Sequence, residues 1–308
     1  MKVLIAGGTG FIGRRLTRDL MMAGHECTVL VRSPRTPMND RFPPGVRLTP
    51  FGERPDAVDA VVNLAGESVA GSWSKRRKDI ILDSRIETTG DLIEWMKELK
   101  TPPKVLLCAS AVGFYGNRGD EAITEQSGPD PDRRFLSQVC ILWEQEANRA
   151  RKLGARVVNL RLANVLDPTG GYLEAMSTFL KCAPVYASIA PQAFFPWISL
   201  TDAVGIIQFA MEHESVKGPV NLAAPTPVTG RDFYRALGRA NRRPVLGHVP
   251  SMFVKLALGE FSEAVLASQA IIPEKILQEG YTFQNPDLGE FLARRYAEFK
   301  KHRVAPIA

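Results

Sequence analysis

The sequence is poor in residues that hold metals or cross-link chains. Its four cysteines, Cys27, Cys108, Cys140 and Cys182, lie far apart with no CxxC among them. Three fall in apolar segments, so they read as reduced, structural thiols. The four histidines, His25, His213, His248 and His302, are isolated, and without Cys or His at ligand spacing no metal site is expected. Also missing is any apolar run near the ~20 residues that a membrane span needs. Met1 leads straight into a short apolar strand. The expectation is a cytoplasmic protein without metal or membrane partner.

A large excess of one charge is missing as well. Lys plus Arg number 39 and Asp plus Glu 33, a net +6. The sequence pI is about 9.2. The basic clusters Lys75-Arg76-Arg77-Lys78, Arg242-Arg243, Arg294-Arg295 and Lys300-Lys301-His302-Arg303 are scattered, and no aromatic residues alternate with them as a base-stacking surface requires. They read as solvated helix faces, and no nucleic-acid partner is expected. A hydrophobic fraction of 45% and a charged fraction of 23% are globular values that exclude extended disorder and coiled coil. At ~150 residues per domain, 308 residues fit two domains, or one large α/β unit with a lobe.

What is present is an alternation of short apolar runs and helix-spaced segments. Lys2 to Ala6 is a run of the first kind, and Ile12, Leu16, Leu20 and Met21 give helical spacing. Gly24 reads as the helix stop, and His25 to Arg32 is a second strand. After a Pro-rich loop from Ser33 to Gly45, strands are expected at Val46 to Thr49, Ala57 to Leu64, Lys104 to Ala109 and Arg156 to Leu162. Helices are expected at Lys75 to Leu99 and Arg134 to Leu153. Such alternation implies a parallel sheet covered on both faces, a Rossmann-type doubly wound α/β fold. Beyond Leu166 the rhythm loosens. A helix at Thr201 to His213 and strands at Val220 to Ala223 and Val245 to Val249 remain legible. The division expected is a nucleotide-binding core over 1–166 and a small C-terminal substrate lobe over 167–308, some of whose segments return to the core sheet.

The strongest motif is Gly7-Gly-Thr9-Gly10-Phe11-Ile12-Gly13, directly after the first strand and opening the first helix. Missing Cβ atoms let the backbone turn tightly and approach a pyrophosphate, whose charge the free N–H groups and dipole of the helix N-terminus stabilise. The end of the second strand sets which dinucleotide binds. An NAD site usually has a carboxylate there for the ribose 2′-hydroxyl. This chain has Arg32, followed by Ser33 and, nearby, Arg35. A guanidinium suits a 2′-phosphate, so NADP(H) is the expected cofactor.

Gly7 to Gly13, Asn63-Leu-Ala-Gly-Glu67, Ser84-Arg-Ile-Glu-Thr-Thr89, Phe195-Pro-Trp-Ile198 followed by Asp202, and Pro273 to Leu288 together resemble the atypical extended short-chain dehydrogenase/reductases. Among these they are most similar to the epimerase-like group often labelled cell-division inhibitors. The resemblance spans nearly the whole chain. It implies a Rossmann core, NADP(H) binding and a small C-terminal lobe. By position it also implies that Leu64 and Ala65, with Gly66 behind them, face the cofactor's ribose, and that Arg161 and Leu162 pass beside the nicotinamide. Arg85 stands where sugar epimerases use an Asn near the nicotinamide. The alternative for it is a helix arginine paired with Asp83 or Glu87.

Catalysis departs from the pattern. Related enzymes have a Ser or Thr after the fifth strand and a Tyr-x-x-x-Lys on the next helix, where the lysine lowers the tyrosine pKa for proton exchange. Ser110 fits the first element. Aligning on Glu144 puts Leu136 and Cys140 in the tyrosine and lysine places, and neither exchanges protons there. A shift of one residue gives Phe135 and Val139, no better. Tyr296 and Lys300 have the spacing but lie far beyond the fifth strand, so chance explains them. Tyr115 is either a substitute acid or a packed aromatic in a Gly-rich turn. Phe194, Phe195 and Trp197 either line a pocket or anchor the lobe, and Asp202 reads as a helix cap. Cys182 to Gln192 departs from the family's glycine-rich run. The expected function is an NADP(H)-dependent oxidoreductase or epimerase-like enzyme acting on a small-molecule carbonyl or hydroxyl compound, with Ser110 and Tyr115 as catalytic candidates. The alternative is a nucleotide-binding regulatory or scaffold protein without turnover.

Overall fold

A computed structural model describes residues 1–32, 42–174, 176 and 185–304, with side chains through 301. Seven strands form one parallel sheet: β1 (Lys2–Ala6), β2 (Glu26–Val31), β3 (Arg47–Pro50), β4 (Ala60–Asn63), β5 (Val105–Ala111), β6 (Arg156–Leu162) and β7 (Gly218–Leu222). They are ordered β7-β6-β5-β4-β1-β2-β3, and every pairing between neighbours is parallel. Parallel strands covered on both faces read as continuous apolar runs, and β1 shows why. Val3 and Ile5 pack on one side, with Leu16 and Leu20 of helix α1 (Phe11–Met22) and with helix α4 (Leu200–Glu212). Leu4 and Ala6 pack on the other, with helices α2 (Lys75–Glu98) and α3 (Phe135–Asn148).

Most expected elements fall within a few residues of their observed limits. The long helix expected from Arg134 stops earlier, because the α-helix ends at Asn148 and a 3₁₀ turn carries the chain to Leu153 before Gly154 at φ +82°. Downstream residues return to the core, as β7 forms the sheet edge beside β6 and α4 packs against α1. A separate aromatic cluster joins helices α5 (Gly230–Asn241) and α6 (Leu288–Val304) to Leu166, Leu173, Tyr186 and Trp197.

The chain leaves β1 towards β2 and β3, then returns on the far side of β1 as β4. That reversal opens a crevice beyond the carboxyl ends of β1 and β4, where ligands of such sheets bind. Among the described residues no helix is long and apolar enough to cross a membrane, and no group of three or more His, Cys, Asp or Glu is placed to hold a metal.

Candidate nucleotide and active site

At the crevice the two loops touch. Gly7 has φ +76°, and a Cβ there would lie 2.5 Å from the Leu64 carbonyl carbon. A Cβ on Gly13 would lie 2.3 Å from the Gly7 carbonyl oxygen, so this glycine lets α1 sit against the turn. Gly10 is the helix N-cap and carries no capping side chain. Its N–H donates to the Gly7 carbonyl. The first-turn N–H groups at Phe11, Ile12 and Gly13 therefore face outward with the positive end of the helix dipole. Thr9 is half-buried in the turn and Ile12 packs on the core. Phe11 reaches across to Gly170, where a Cβ would stand 2.3 Å from its ring. Arg32 is exposed just past the end of β2. Ser33 and Arg35, together with Cys182, lie outside the described residues. The glycine cradle, the uncapped helix end and the exposed cation fit a dinucleotide phosphate.

The second loop is held by two motifs, Asn63 to Glu67 and Ser84 to Thr89. The Asn63 side-chain oxygen accepts from the Ala65 N–H, and its amide donates to Thr89 Oγ1 at 2.9 Å. Thr89 also receives the Trp143 indole N–H. Ser84 Oγ accepts from the Glu67 N–H. Arg85 donates to the carbonyls of Ile81 and Glu67 and stacks its guanidinium over Trp143 at 5.0 Å. It bonds neither Asp83 nor Glu87. A Cβ on Gly66 would come within 3.2 Å of that guanidinium, so Leu64, Ala65 and Gly66 lie on a turn braced from behind by α2. Burial is the largest influence on Arg85 and lowers its pKa.

Beyond β5 lies a closed polar network. Glu144 on α3 accepts from Ser110 Oγ at 2.8 Å and, through both oxygens, from Arg161 Nε and Nη2 at 2.8 and 2.9 Å. Arg161 Nη1 donates to the Tyr115 hydroxyl at 2.9 Å, which donates to Asn221 Oδ1 at 2.7 Å. Glu125 receives the Asn221 N–H. All six residues are buried, Tyr115 completely. The Arg161 guanidinium lies 3.6 Å from the Phe114 ring centre. Burial works against its charge, but hydrogen bonds to Glu144 and Tyr115 outweigh that and its pKa is raised. Burial pushes the Tyr115 phenol up to about 12.

The structure thus brings Ser110 and Tyr115 together, but with both protons engaged. To hold a carbonyl oxygen Ser110 must donate the hydrogen that Glu144 now takes, and Tyr115, packed in its turn, has no exposed surface. The places aligned with tyrosine and lysine hold what the sequence says. Leu136 packs against the apolar cluster of Trp73, Ile81 and Val139. The Cys140 thiol approaches the Ala111 carbonyl, and burial pushes it up to about 11. Leu162 packs between the core clusters at the end of β6. Tyr296 sits in the lobe cluster, with the Lys300 ammonium 6.0 Å from its ring centre and bonded to the Ala240 carbonyl, away from the crevice. Phe195 stacks on Phe233 at 4.3 Å and Trp197 on Phe291 at 5.7 Å, the anchoring arrangement. Ser199 is the N-cap of α4, and Asp202 answers from the third helical position.

Sequence reasoning missed the anchoring role of Asn63 and Thr89, and it used Glu144 only as an alignment mark. The signal was there for Glu144 and Arg161: each is a charge inside an apolar periodic segment, and a buried charge requires a partner.

This sheet, with a glycine turn at its reversal point, defines a dinucleotide-binding Rossmann protein. The chain belongs to the NAD-dependent epimerase/dehydratase family, whose model matches residues 3–223, while a domain of unknown function matches 249–294. It is 33% identical to the epimerase family protein YfhF of Bacillus subtilis over 97% of this chain and 99% of that one. It is 37% identical to the epimerase family protein Mb2239 of Mycobacterium bovis over 94% and 96%. A crystal structure of the human epimerase family protein SDR39U1 with NADPH superposes with TM-score 0.85 at 31% identity, covering 96% of this chain and 99% of that one. These names support an NAD(P)-dependent, epimerase-like protein. The cell-division label is not among them.

Proposed function

We propose that the protein binds NADP(H) in the β1–β4 crevice and acts as an NADP(H)-dependent oxidoreductase or epimerase-like enzyme on a small carbonyl or hydroxyl compound, without a side-chain proton relay. The observation that carries the cofactor choice is Arg32, exposed at the end of β2 where an NAD site would use a carboxylate. The Gly7 to Gly13 turn and the N-terminus of α1 would hold the pyrophosphate, Arg32 the 2′-phosphate, and the braced turn at Leu64 to Gly66 the ribose. A bound nicotinamide supplies hydride exchange with a carbonyl or carbinol carbon. Arg85 keeps the Leu64 to Gly66 turn in place. With Ser110 and Tyr115 engaged elsewhere, the proton comes from solvent, and turnover is slow.

The second reading, a nucleotide-binding regulator without turnover, is favoured by the same engaged hydroxyls. Calorimetric titration with both cofactors, followed by oxidation of NADPH against a carbonyl panel, separates the cases. NADPH should bind ten- to a hundredfold or so more tightly than NADH, because a charge-assisted contact contributes ~1.5 to 3 kcal/mol, and Arg32→Asp should reverse the order. Equal affinities in the wild type overturn the NADP(H) assignment. Turnover near or above ~10 s⁻¹, the enzyme median, overturns the absence of a relay. Tight binding with no oxidation at all leaves the regulator.

A further inference from the structure

Helix Ser251–Leu258 is apolar on two sides and buried on one. Val254 is buried, whereas Met252, Phe253 and Leu256 are 68%, 55% and 83% exposed. At ~100° per residue these three span about a quarter of the helix circumference. Ala257 extends their face and Lys255 borders it, and Val254 points the opposite way. A helix that is apolar all round is ordinarily covered all round. The preceding strand, Val245–Val249, adds Leu246 at 66% exposure.

Charge identifies what fits this face. From Phe233 to Gly259 the chain carries Arg235, Arg239, Arg242, Arg243 and Lys255 and no carboxylate. Four of these cations are exposed, and Arg243 is half-buried. Just past the helix Glu260 is neutralised by Lys78 of α2, whose first turn adds exposed Lys75 and Arg76, while Glu263 follows in the next short helix. A second copy related by a twofold axis would set these cations against themselves. Three or four side chains also fall well short of the ~800 Å² per partner of a stable interface. Interfacial helices, by contrast, sink an apolar face into the headgroup boundary with Lys and Arg beside it.

We propose that helix Ser251–Leu258 docks the protein peripherally on an anionic lipid surface, Met252, Phe253 and Leu256 entering the headgroup layer and the flanking cations meeting its charge. This is independent of the cofactor assignment and of turnover. The test is flotation of the full chain with vesicles of phosphatidylcholine mixed with phosphatidylglycerol, and with vesicles of phosphatidylcholine alone. Binding is expected to the mixed vesicles only and to weaken as salt is raised. Lys255→Gln should lower the partition roughly fivefold, the worth of one cation near such a surface. Phe253→Ser combined with Leu256→Ser should abolish binding while NADPH affinity and circular dichroism stay unchanged, since both residues are exposed. Three results overturn the proposal: no flotation of the wild type, equal flotation of the double variant, or a dimer in light scattering that the double variant dissociates, which would assign the face to a second copy.

Discussion

Tyr115 has one proton to give, and Asn221 takes it. Tyr115→Phe would leave Asn221 Oδ1 and an N–H of Arg161 without partners inside a buried network. Each such orphan costs about 1 to 3 kcal/mol, so urea titration near neutral pH should show a loss of that order. If the role is structural, slow NADPH oxidation should stay the same, whereas a large drop in rate at undiminished NADPH affinity would make the phenol the acid. Alkali provides a further check. The folded state holds the phenolic proton more tightly than the unfolded chain, with burial raising its pKa from 10.0 to about 12. The stabilisation is therefore fully present below pH 10 and is lost as pH rises towards 12. Across that window the wild-type and Tyr115→Phe stabilities should converge, because the Tyr115 phenol is the one titrating group in which the two differ.

Among the elements, what could be read in advance depended on how local the cause was. The strand, glycine turn and helix at 2–22 were legible because their signals are periodicity and spacing within a few residues, and the lack of Tyr-x-x-x-Lys on α3 was equally plain. The network around Arg161 was not, since Tyr115 meets Asn221 across 106 residues of chain and no pattern in either segment announces the other. Arg85 shows the same limit. The sequence offers it a place near the nicotinamide or a pairing with Asp83 or Glu87, and it bonds backbone carbonyls on its own helix and on the Glu67 turn. The glycine turn makes a prediction at this scale. A Cβ on Gly13 meets the Gly7 carbonyl at 2.3 Å, but one on Gly10 meets the same oxygen only at 3.2 Å. Gly13→Ala should push α1 off β1, lowering stability by ~1 to 3 kcal/mol as overpacking does and weakening NADPH. Gly10→Ala should leave stability within ~0.5 kcal/mol. Equal stability losses would mean that the close fit of α1 is not what Gly13 provides.

For the whole molecule the question is what ties the C-terminal block to the sheet, and Asp202 is the principal tie. It is fully buried at the start of α4. Its carboxylate accepts from Ser199 Oγ at 2.6 Å, from the backbone N–H groups of Gln284 and Asn285 at 2.7 and 3.0 Å, and from the Asn285 side chain at 2.9 Å. A second tie lies farther along, where Arg295 of α6 pairs with buried Asp167 at 2.7 Å. The start of the helix that follows FPWI and a distant loop in the block from Pro273 to Leu288 thus share one carboxylate. Hydrogen bonds to a charged group are worth ~1.5 to 3 kcal/mol each, so Asp202→Ala should lower stability by more than ~3 kcal/mol. Arg295→Ala should cost less, because the buried Asp167 carboxylate keeps its bonds from the Thr169 N–H and hydroxyl. Because Asp202 ties the block rather than filling the core, the effect should also be local. Hydrogen exchange should quicken at the amides of 284–304 in Asp202→Ala while β1, β4 and β5 keep their protection. NADPH affinity should fall only a few-fold, since the chain beyond Leu166 reaches the glycine turn through Phe11 against Gly170 and Gly171. Uniform loss of protection across the sheet would instead place Asp202 in the common core, and the C-terminal block would then not be a separately tethered unit.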